Sequence, residues 1–322
     1  YLQAVDGSNN QLAFEVIEAQ EERAGHLIRY RAQSMPATVP ITGIYSLVFS
    51  TDEFDVDLYA VFVLEYGVPT GAITLSVDIQ SGVIISASST SVPAFSVSDV
   101  WPAGTTILIT NNGIIAGRGG NGGQGWGENS LDIVDRNGTD GGLALDATGW
   151  ATSVDNQGWI IGGGGGGGGG SGDFYLSGSS AYIVTGSGGA GGWPYGSGGL
   201  AGVATPASYA GYAVGTNGGT AGNTLTYTGS NYRGLHGGAY AGQSLTVPLF
   251  PSGSTTIVSG GGGNGGNNLL QSVSDYSGVS GGSGTANLSG AGAGSGGSAG
   301  ECVNGNSNIT WITTGYRYGA IA

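Results

Sequence analysis

The chain contains no lysine, two histidines, one cysteine and one methionine among its 322 residues, and each shortage excludes a class of function. Without lysine, the Gly-Lys-Ser/Thr sequence of a phosphate-binding loop cannot occur. Because Cys302 is the single cysteine, no disulfide can form within the chain. We expect Cys302 to be a small buried apolar residue rather than a reactive thiol. The formal charge of −14 disfavours nucleic acids and anionic membrane surfaces as partners.

Residues suited to catalysis or metal binding are scarce as well. His26 and His236 have no catalytic motif around them, and no carboxylate pair has a supporting pattern, which disfavours an enzyme acting on cell-surface glycan. The acidic cluster at residues 52–57 lacks the glycine-centred pattern of a calcium loop, so we interpret it as a solvated loop. No segment approaches the roughly 18 consecutive apolar residues of a membrane span. The sequence predicts no catalytic residue, metal site or cofactor.

Glycine is the residue that the chain has in excess. Only 7 of its 70 glycines lie in residues 1–112. Nine are consecutive, from Gly162 to Gly170, and further dense stretches lie at Gly117–Gly127, Gly186–Gly192, Gly260–Gly266 and Gly290–Gly300. Runs of this kind are normally flexible linkers. A hydrophobic fraction of 39%, with six tryptophans and sixteen tyrosines, is unlike a disordered chain and favours an ordered glycine-rich domain.

The glycine-poor first part has the composition of β-structure. Segments rich in β-branched and aromatic residues are separated by glycine, proline and serine at spacings typical of an antiparallel sandwich. The composition predicts two domains, a β-rich region over residues 1–104, with a β-sandwich as its candidate fold, and a glycine-rich domain over residues 105–322. The predicted strands of the first region are Ala13–Glu18, His26–Arg31, Val56–Glu65, Ala72–Ile79 and Val83–Ser88.

A short motif occurs twice, each time directly before a glycine run. Ile109–Gly117 (ITNNGIIAG) matches Val154–Gly162 (VDNQGWIIG) position by position. Each copy predicts a strand with an Asn-x-Gly turn that leads into glycine. A random linker would not be introduced twice by the same strand, so the repeat favours an ordered architecture.

Glycine runs can themselves form structure. Polyglycine can adopt an extended left-handed helix of three residues per turn, whose outward-pointing N–H and C=O groups pair between neighbouring helices. Only glycine permits such packing on every side, because a Cβ would hold the backbones apart. At about 3.1 Å per residue, nine glycines would extend roughly 28 Å. Collagen is excluded because there is no Gly-X-Y register, and the calcium-binding nonapeptide repeat because its aspartates are missing.

These motifs carry a resemblance to a known family. The glycine runs, the two motif copies and the ending NSNITWITTGYRYGAIA resemble the polyglycine-sandwich adhesins of T-even-type phage tail fibres and the C-terminal regions of siphophage tail-tip host-specificity proteins. The resemblance covers about residues 105–322. The expected fold class is an all-β N-terminal part, predicted from the residues, followed by packed polyglycine II helices with short flanking strands, which the resemblance implies. The resemblance also implies a place at the distal end of a virion's tail or tail fibre, where the connecting loops form a receptor-binding tip.

The resemblance also implies partners. The implied receptor lies on the bacterial surface and is an outer-membrane protein ahead of polysaccharide or pilus, bound without covalent chemistry. Other phage tail proteins are the implied partners of residues 1–104, as an attachment or assembly region. The components that the chain resembles are either trimers or a single cap on a trimeric fibre, and we favour a homotrimer because a β-rich N-terminal region could provide the assembly surface. Nucleic acid is not an expected partner.

Aromatic residues between the glycine runs are the candidate receptor contacts. Tyrosine among serine, glycine and asparagine is the composition of antibody-like recognition loops, although such rings could instead cover the glycine layer. We expect Trp193-Pro194-Tyr195, which joins two glycine runs, to form an exposed tip, and Tyr232 beside Arg233 to be the next candidate. The candidates are Phe174, Tyr175, Tyr182, Trp193, Tyr195, Tyr209, Tyr212, Tyr227, Tyr232 and Arg233.

One alternative class stays open at this point, a purely structural glycine-rich protein. A virion spacer or an ice-binding protein of packed helices would use the same glycine chemistry. Ice binders present flat and regular faces, whereas the segments between the glycine runs differ here in length and content. That irregularity favours recognition of an irregular partner.

Overall fold

Strands dominate the structure, a computed structural model of the chain. It describes residues 4–5, 11–12, 42–126, 136–177, 180–201, 211–213, 225–228, 231–234, 244–248, 254–258 and 293–322. Within these residues one α-helix accompanies the strands, so the prediction of a mainly β protein is confirmed. The predicted strands Ala13–Glu18 and His26–Arg31 lie outside the described residues. Before residue 42 the structure describes a short antiparallel pair, β1 (Ala4–Val5) and β2 (Gln11–Leu12).

Three parallel sheets form the body of the molecule. Sheet I contains β3 (Gly43–Phe49), β6 (Ile73–Ile79), β9 (Thr106–Asn111), β12 (Thr152–Asn156) and β22 (Ile309–Thr313). Sheet II contains β4 (Glu53–Phe54), β7 (Ile84–Ser86), β10 (Ile114–Ala116), β13 (Trp159–Ile161) and β23 (Tyr316–Tyr318). Sheet III contains β5 (Val56–Asp57), β8 (Phe95–Ser96), β11 (Leu145–Asp146) and β21 (Val303–Asn304). In each sheet the spatial order of the strands follows their order in the sequence.

The chain visits the three sheets in turn and so forms a three-sided parallel β-helix. The first coil is β3-β4-β5, the second β6-β7-β8, the third β9-β10-β11 and the fourth β12-β13-β21. The fifth coil consists of β22 and β23, followed by Ile321, which bridges to Val303. Residues 117–144 are inserted between β10 and β11, and residues 162–302 between β13 and β21. The glycine-rich sequence therefore leaves the β-helix at one corner, between sheets II and III.

Columns of apolar side chains fill the interior of the β-helix. Each column stacks one residue per coil, because neighbouring strands are parallel and in register. Apart from the half-buried Trp311 at the fifth coil, the residues of these columns are buried to 8% exposure or less, which removes their apolar surface from water. The columns are Leu47, Val77, Ile109, Val154 and Trp311 in sheet I; Ile85, Ile115 and Ile160 in sheet II; and Val56, Phe95, Leu145 and Val303 in sheet III.

The prediction of an antiparallel β-sandwich for the first part of the chain is wrong. Every strand pair in the three sheets is parallel, and strands from residues 106–116, 145–161 and 303–318 complete sheets that begin before residue 104. The expected domain boundary between residues 104 and 105 thus falls inside the β-helix, between β8 and β9. Alternation of apolar and polar residues indicates strands but does not specify which strands pair or in which direction.

Ala72–Ile79 and Val83–Ser88 do contain strands, β6 and β7, but Val56–Glu65 does not form the predicted strand. Most of it belongs to the helix α1 (Leu58–Tyr66). The Asp57 carboxylate accepts hydrogen bonds from the backbone N–H groups of the first turn, at 3.0 and 3.2 Å. Leu58 and Phe62, one turn apart, are fully buried in the core next to the first coil. An N-cap and this burial outweigh the β propensity of the sequence.

The repeated motif marks two successive coils, which confirms that the glycine runs start from an ordered unit. Ile109 pairs with Val154 and Asn111 with Asn156 in sheet I, and Ile115 pairs with Ile160 in sheet II. The two buried asparagines form a ladder at the corner, since Asn111 Nδ2 donates to Asn156 Oδ1 at 2.8 Å. The Asn-x-Gly sequence therefore turns the chain from sheet I to sheet II and is not a hairpin.

Six glycine-rich segments pack side by side beyond this corner. We number them segment 1 (residues 117–126), segment 2 (136–142), segment 3 (162–172), segment 4 (185–192), segment 5 (196–201) and segment 6 (293–300). Hydrogen bonds join them at every third residue. The N–H groups of Gly117, Gly120 and Gly123 donate to the carbonyl oxygens three residues apart in segment 3 and the strand before it, at 2.8 Å each. The parallel pairing of β10 and β13 thus continues without a break into the glycine.

Segment 3, which contains the nine-glycine run, lies in the middle of this bundle. All residues from 162 to 172 are buried. Its N–H groups donate to segments 2 and 4, to Trp193 directly after segment 4 and, from Gly162, to Tyr318 on β23. Its carbonyl oxygens accept from segments 1 and 6. Seven of the nine N–H groups in the run donate to backbone carbonyls; they belong to Gly162, Gly163, Gly164, Gly166, Gly167, Gly169 and Gly170. The run is a hydrogen-bonded centre and not a linker.

Glycine is required in the bundle because there is no room for a Cβ. A Cβ built on Gly163 or Gly166 would overlap a carbonyl oxygen of segment 1, and one built on Gly165 would overlap a carbonyl oxygen of segment 6. None of the described glycines in the six segments has a positive φ, so close approach and not backbone conformation selects glycine here. Segment 6, at the surface of the bundle, also has glycine wherever it is buried. Gly294, Gly297 and Gly300 are buried, whereas the serines between them are exposed.

Replacing a buried glycine of the bundle by alanine should destabilise the protein strongly. For Gly166→Ala and Gly297→Ala we expect a loss of at least about 3 kcal/mol in the free energy of unfolding, because two backbones must separate. The matched control is Ser295→Ala, at an exposed position of segment 6, which should change stability by less than about 0.5 kcal/mol. Urea unfolding measures both. Equal stabilities of Gly166→Ala and wild type would contradict close packing of the segments.

Candidate functional site

The hydrogen bonds define the direction of each segment and therefore two ends of the bundle. Segment 1 pairs in parallel with segments 3 and 5, and segments 2, 4 and 6 run in the opposite direction. Segments 1 and 3 start at the β-helix, so each odd-numbered segment leads away from it and each even-numbered segment returns. We call the end next to the β-helix the proximal end and the opposite end the distal end. The end of segment 3 and the start of segment 4 therefore lie at the distal end, as do the end of segment 5 and the start of segment 6.

Short strands assemble at the distal end. After segment 3 come β14 (Asp173–Ser177) and β15 (Ser180–Val184), which pair as an antiparallel hairpin before segment 4 begins. Between segments 5 and 6 lie β16 (Gly211–Ala213), β17 (Leu225–Thr228), β18 (Asn231–Gly234), β19 (Ser244–Pro248) and β20 (Ser254–Val258). β16 pairs with β15, and the hairpin of β19 and β20 lies against β14 and β15. The chain thus gathers strands from distant sequence at one end.

Most of the predicted recognition residues belong to these strands. Phe174 and Tyr175 lie on β14 and Tyr182 on β15, where Tyr175 and Tyr182 are directly opposite each other. Tyr212 on β16 pairs with Ile183. Tyr227 and Tyr232 are opposite each other in the hairpin of β17 and β18, and Arg233 is opposite Thr226. Tyr209 lies outside the described residues.

Trp193-Pro194-Tyr195 lies at the proximal end of the bundle, against the β-helix, so the expectation of an exposed tip is wrong. The turn joins segment 4 to segment 5 at the proximal end. Trp193 is 2% exposed and packs against Ala116 and Ile161 on the outer face of sheet II. The ring of Tyr195 lies 5.5 Å from that of Phe54, and its carbonyl oxygen accepts from the Arg118 guanidinium at 3.0 Å. The turn fastens the bundle to the β-helix.

Polar side chains at intervals of three residues bind the outer segments together, which sequence reasoning missed. The Oδ1 atoms of Asn121, Asn137 and Asp140 accept hydrogen bonds from backbone N–H groups of the neighbouring segments at 3.0, 2.8 and 2.6 Å. Thr139 Oγ1 accepts from the N–H of Asn121 at 2.7 Å. The signal in the sequence was the spacing of three that separates Arg118, Asn121 and Gln124 within segment 1.

Cys302, the single cysteine of the chain, is buried as predicted. It is fully buried in the β-helix, and its thiol donates to the carbonyl oxygen of Gly319 at 3.3 Å. Burial raises the pKa of Cys302 from 9.0 to about 12, so the thiol stays protonated near neutral pH. The prediction of an unreactive structural residue is confirmed.

In the part of the chain that the structure describes, no three His, Cys, Asp or Glu side chains come close enough together to hold a metal ion. The single α-helix described is too short to cross a membrane. The distal strands are short segments held on a hydrogen-bonded scaffold, an arrangement that often carries binding residues.

Comparison with known families gives the class of this protein. A family described as "Phage tail fibre adhesin Gp38" matches residues 44–322. The chain therefore belongs to this family of bacteriophage adhesins, whose place is the distal end of the virion's tail fibre.

Similarity to solved structures is more distant. The chain is similar to a chain of the structure described as "Crystal structure of the gp37-gp38 adhesin tip complex of the bacteriophage S16 long tail fiber", with 22% sequence identity and a TM-score of 0.47. The match covers 87% of this chain and 82% of that chain. No curated protein matches the chain.

The placement of Trp193 leads to a stability prediction. Trp193→Ala should cost about 3–5 kcal/mol, because it empties a buried site between the bundle and sheet II. Trp193→Phe keeps an aromatic ring there and should cost less than about 1.5 kcal/mol. Thermal unfolding measures both, and binding to host cells should be unchanged for Trp193→Phe. If Trp193→Ala kept full stability but lost cell binding, Trp193 would be a receptor contact after all.

Proposed function

We propose that this adhesin binds its bacterial receptor with the distal end of the glycine bundle. The observation that carries the proposal is the topology: Phe174, Tyr175, Tyr182 and Tyr212 lie on the strands that assemble at that end, farthest along the bundle from the β-helix. Tyrosines offer a large amphipathic contact area and lose few rotamers on binding. Tyr209, Tyr227, Tyr232 and Arg233, which the sequence places between segments 5 and 6, are proposed as further contacts.

The bundle is proposed to consist of polyglycine II helices. Three observations support this. Hydrogen bonds between segments recur every third residue, side-chain exposure in segment 6 has the same period, and no glycine of the six segments has a positive φ. A left-handed helix of three residues per turn with negative φ has these properties. Packed helices of this type would hold the distal strands at a fixed spacing.

The distal end of the bundle and the β-helix are proposed to bind different partners. An outer-membrane protein is the proposed receptor, ahead of polysaccharide or pilus, and binding is proposed to be non-covalent and without catalysis. The β-helix, which contains most of the predicted attachment region, is proposed to face other proteins of the tail. A homotrimer, which the resemblance favours, stays a prediction that sedimentation of the purified protein tests.

Removing aromatic side chains from the distal strands should weaken attachment to host cells. We expect Tyr175→Ala with Tyr182→Ala, and Tyr232→Ala with Arg233→Ala, each to reduce the affinity of the purified protein for susceptible bacteria at least about tenfold. The matched control is Tyr316→Ala, which removes a ring that is 52% exposed on the β-helix. Flow cytometry with fluorescently labelled protein measures binding. Thermal unfolding should show folded protein for every variant.

The same assay separates the classes of receptor. Protease treatment of the bacteria should abolish binding of the wild-type protein, and periodate oxidation of their glycans should leave it intact. Binding that survives in both distal double variants, or that disappears in Tyr316→Ala, would overturn the proposed site. Binding lost only after periodate would keep the site and replace the receptor.

A further inference from the structure

Six asparagines of this chain are followed directly by glycine, a sequence that is chemically labile. The backbone nitrogen of the glycine can attack the side-chain amide carbon of the asparagine. A C–N bond forms in the resulting succinimide, ammonia leaves with the proton of the glycine nitrogen, and water then opens the ring to aspartate or isoaspartate. The structure describes four of these steps, Asn112-Gly113, Asn121-Gly122, Asn137-Gly138 and Asn304-Gly305, whereas Asn217-Gly218 and Asn264-Gly265 lie outside the described residues.

Two of the described steps lie in the glycine bundle, and each holds the backbone of a serine in a neighbouring segment. Asn121 Oδ1 accepts from the N–H of Ser197 at 3.0 Å, and the Gly122 N–H donates to the Ser197 carbonyl oxygen at 2.8 Å. Asn137-Gly138 holds Ser295 in the same way, at 2.8 and 2.9 Å. We call this arrangement a serine clamp. The attacking nitrogen and the attacked amide are both occupied in it, so the reaction requires that the clamp opens first.

A third clamp contains aspartate in place of asparagine. Asp140 Oδ1 accepts from the N–H of Ser298 at 2.6 Å, and the Gly141 N–H donates to the Ser298 carbonyl oxygen at 2.9 Å. Ser298 follows Ser295 by three residues, so the clamps repeat with the period of the bundle. A carboxylate therefore serves the clamp as an amide does, and what the clamp requires is an acceptor oxygen before a glycine.

Asn112-Gly113, at the corner between sheets I and II, is held by other partners. Gly113 is buried, and its N–H donates to Asn111 Oδ1 at 3.1 Å. The Asn112 side-chain amide donates to Asp78 Oδ1 at 3.2 Å. Both reacting groups are therefore occupied at this step too.

Asn304-Gly305 differs from the other three steps. It lies where β21 ends at a corner of the fourth coil, and both residues are half-buried. In the part of the chain that the structure describes, neither the Asn304 side chain nor the Gly305 N–H makes a hydrogen bond. Glycine is required at residue 305, because its φ is +80° and a Cβ would lie 2.5 Å from the Thr148 nitrogen. The corner thus fixes a glycine after an asparagine whose amide no hydrogen bond holds.

We infer that Asn304 is the site at which the folded protein deamidates, and that the serine clamps protect Asn121 and Asn137 from the same reaction. The product is aspartate or isoaspartate at residue 304. Asn304 pairs with Asp146 on β11, so a carboxylate there places like charges at the same position of adjacent strands, which destabilises a sheet. Isoaspartate also adds a methylene group to the main chain and disturbs the register of this pair. Deamidation therefore weakens the β-helix at this corner and leaves the glycine bundle unchanged.

Ageing of the purified full chain at mildly alkaline pH tests the site. Samples are digested with pepsin, and mass spectrometry measures deamidation of each asparagine. In the folded protein Asn304 should deamidate at least about tenfold faster than Asn121 and Asn137, because their reaction requires local opening. In guanidinium chloride, where no clamp persists, the three should react at similar rates, since each precedes a glycine. Equal rates in the folded protein, or rates at Asn121 and Asn137 that stay slow in the denaturant, would overturn the inference.

Variants of one clamp test the protection itself. Ser295→Pro keeps the carbonyl oxygen but lacks the N–H, and its fixed φ is compatible with a polyproline II segment. It should raise the deamidation rate of Asn137 about two- to tenfold, the factor that corresponds to the loss of one hydrogen bond. Asn121 should keep its wild-type rate in the same molecules. The matched control Ser295→Ala retains both backbone groups and should leave Asn137 protected. An unchanged rate in Ser295→Pro, or an equal rise in Ser295→Ala, would contradict the clamp.

Variants of Asn304 test the consequence at the corner. Asn304→Asp reproduces one product and should lower the unfolding temperature. Asn304→Ser introduces the residue that Ser96 provides at the same position of the second coil, so it should unfold like wild type and abolish the fast deamidation. The matched control is Asn137→Asp, which should also unfold like wild type, because Asp140 already forms a clamp with a carboxylate. All three should bind host cells normally. An Asn304→Asp protein as stable as Asn304→Ser would refute the proposed effect on the β-helix.

Discussion

Hydrogen bonds between backbones that carry no side chains hold the glycine half of this protein together. Each such bond contributes only about 0.5–1.5 kcal/mol net, and glycine loses more conformational entropy on folding than any other residue. A single glycine segment could not therefore be stable alone. Segment 3 is stable because it exchanges hydrogen bonds with four neighbours at once, and this requires that no Cβ separates them. The composition of the chain follows from that one geometric requirement.

The β-helix supplies what the glycine segments lack, a defined starting register. Its coils are spaced by the hydrogen-bonding distance between strands, about 4.8 Å, and are stabilised by buried apolar columns. β10 and β13 lead directly into segments 1 and 3 with their register unchanged. At the same place Trp193 and Tyr195 fasten the returning segments to sheet II. The sheets thus set the register of the glycine segments, and the glycine segments in turn set the positions of the distal strands.

Sequence reasoning identified the elements better than their assembly. The repeat of Ile109–Gly117 at Val154–Gly162 correctly indicated ordered units that lead into glycine, and glycine chemistry indicated close packing of backbones. The parallel β-helix was missed because the fourth and fifth coils need strands from residues 303–318, about 140 residues beyond the glycine run. No local pattern reports such pairing. Helix α1 was missed because its burial on the first coil, and not its propensity, decides its conformation.

At the candidate site too, the sequence identified the residues better than their arrangement. Aromatic composition pointed to the segments between glycine runs, but direction along the bundle decides which of them share an end. Trp193 looked exposed because it stands between two glycine runs, whereas those runs turn at the β-helix, where a large ring can be buried. Counting the segments from the β-helix would have placed this turn at the proximal end, since every second connection returns there.

Hydrogen exchange at the nine-glycine run tests the central claim most directly. The seven N–H groups of Gly162–Gly170 that donate to neighbouring backbone carbonyls should exchange as slowly as those of the core strands β9 and β12. Mass spectrometry of the peptide that spans residues 162–172 provides the measurement. Exchange within seconds, as in an unstructured glycine linker, would contradict the account.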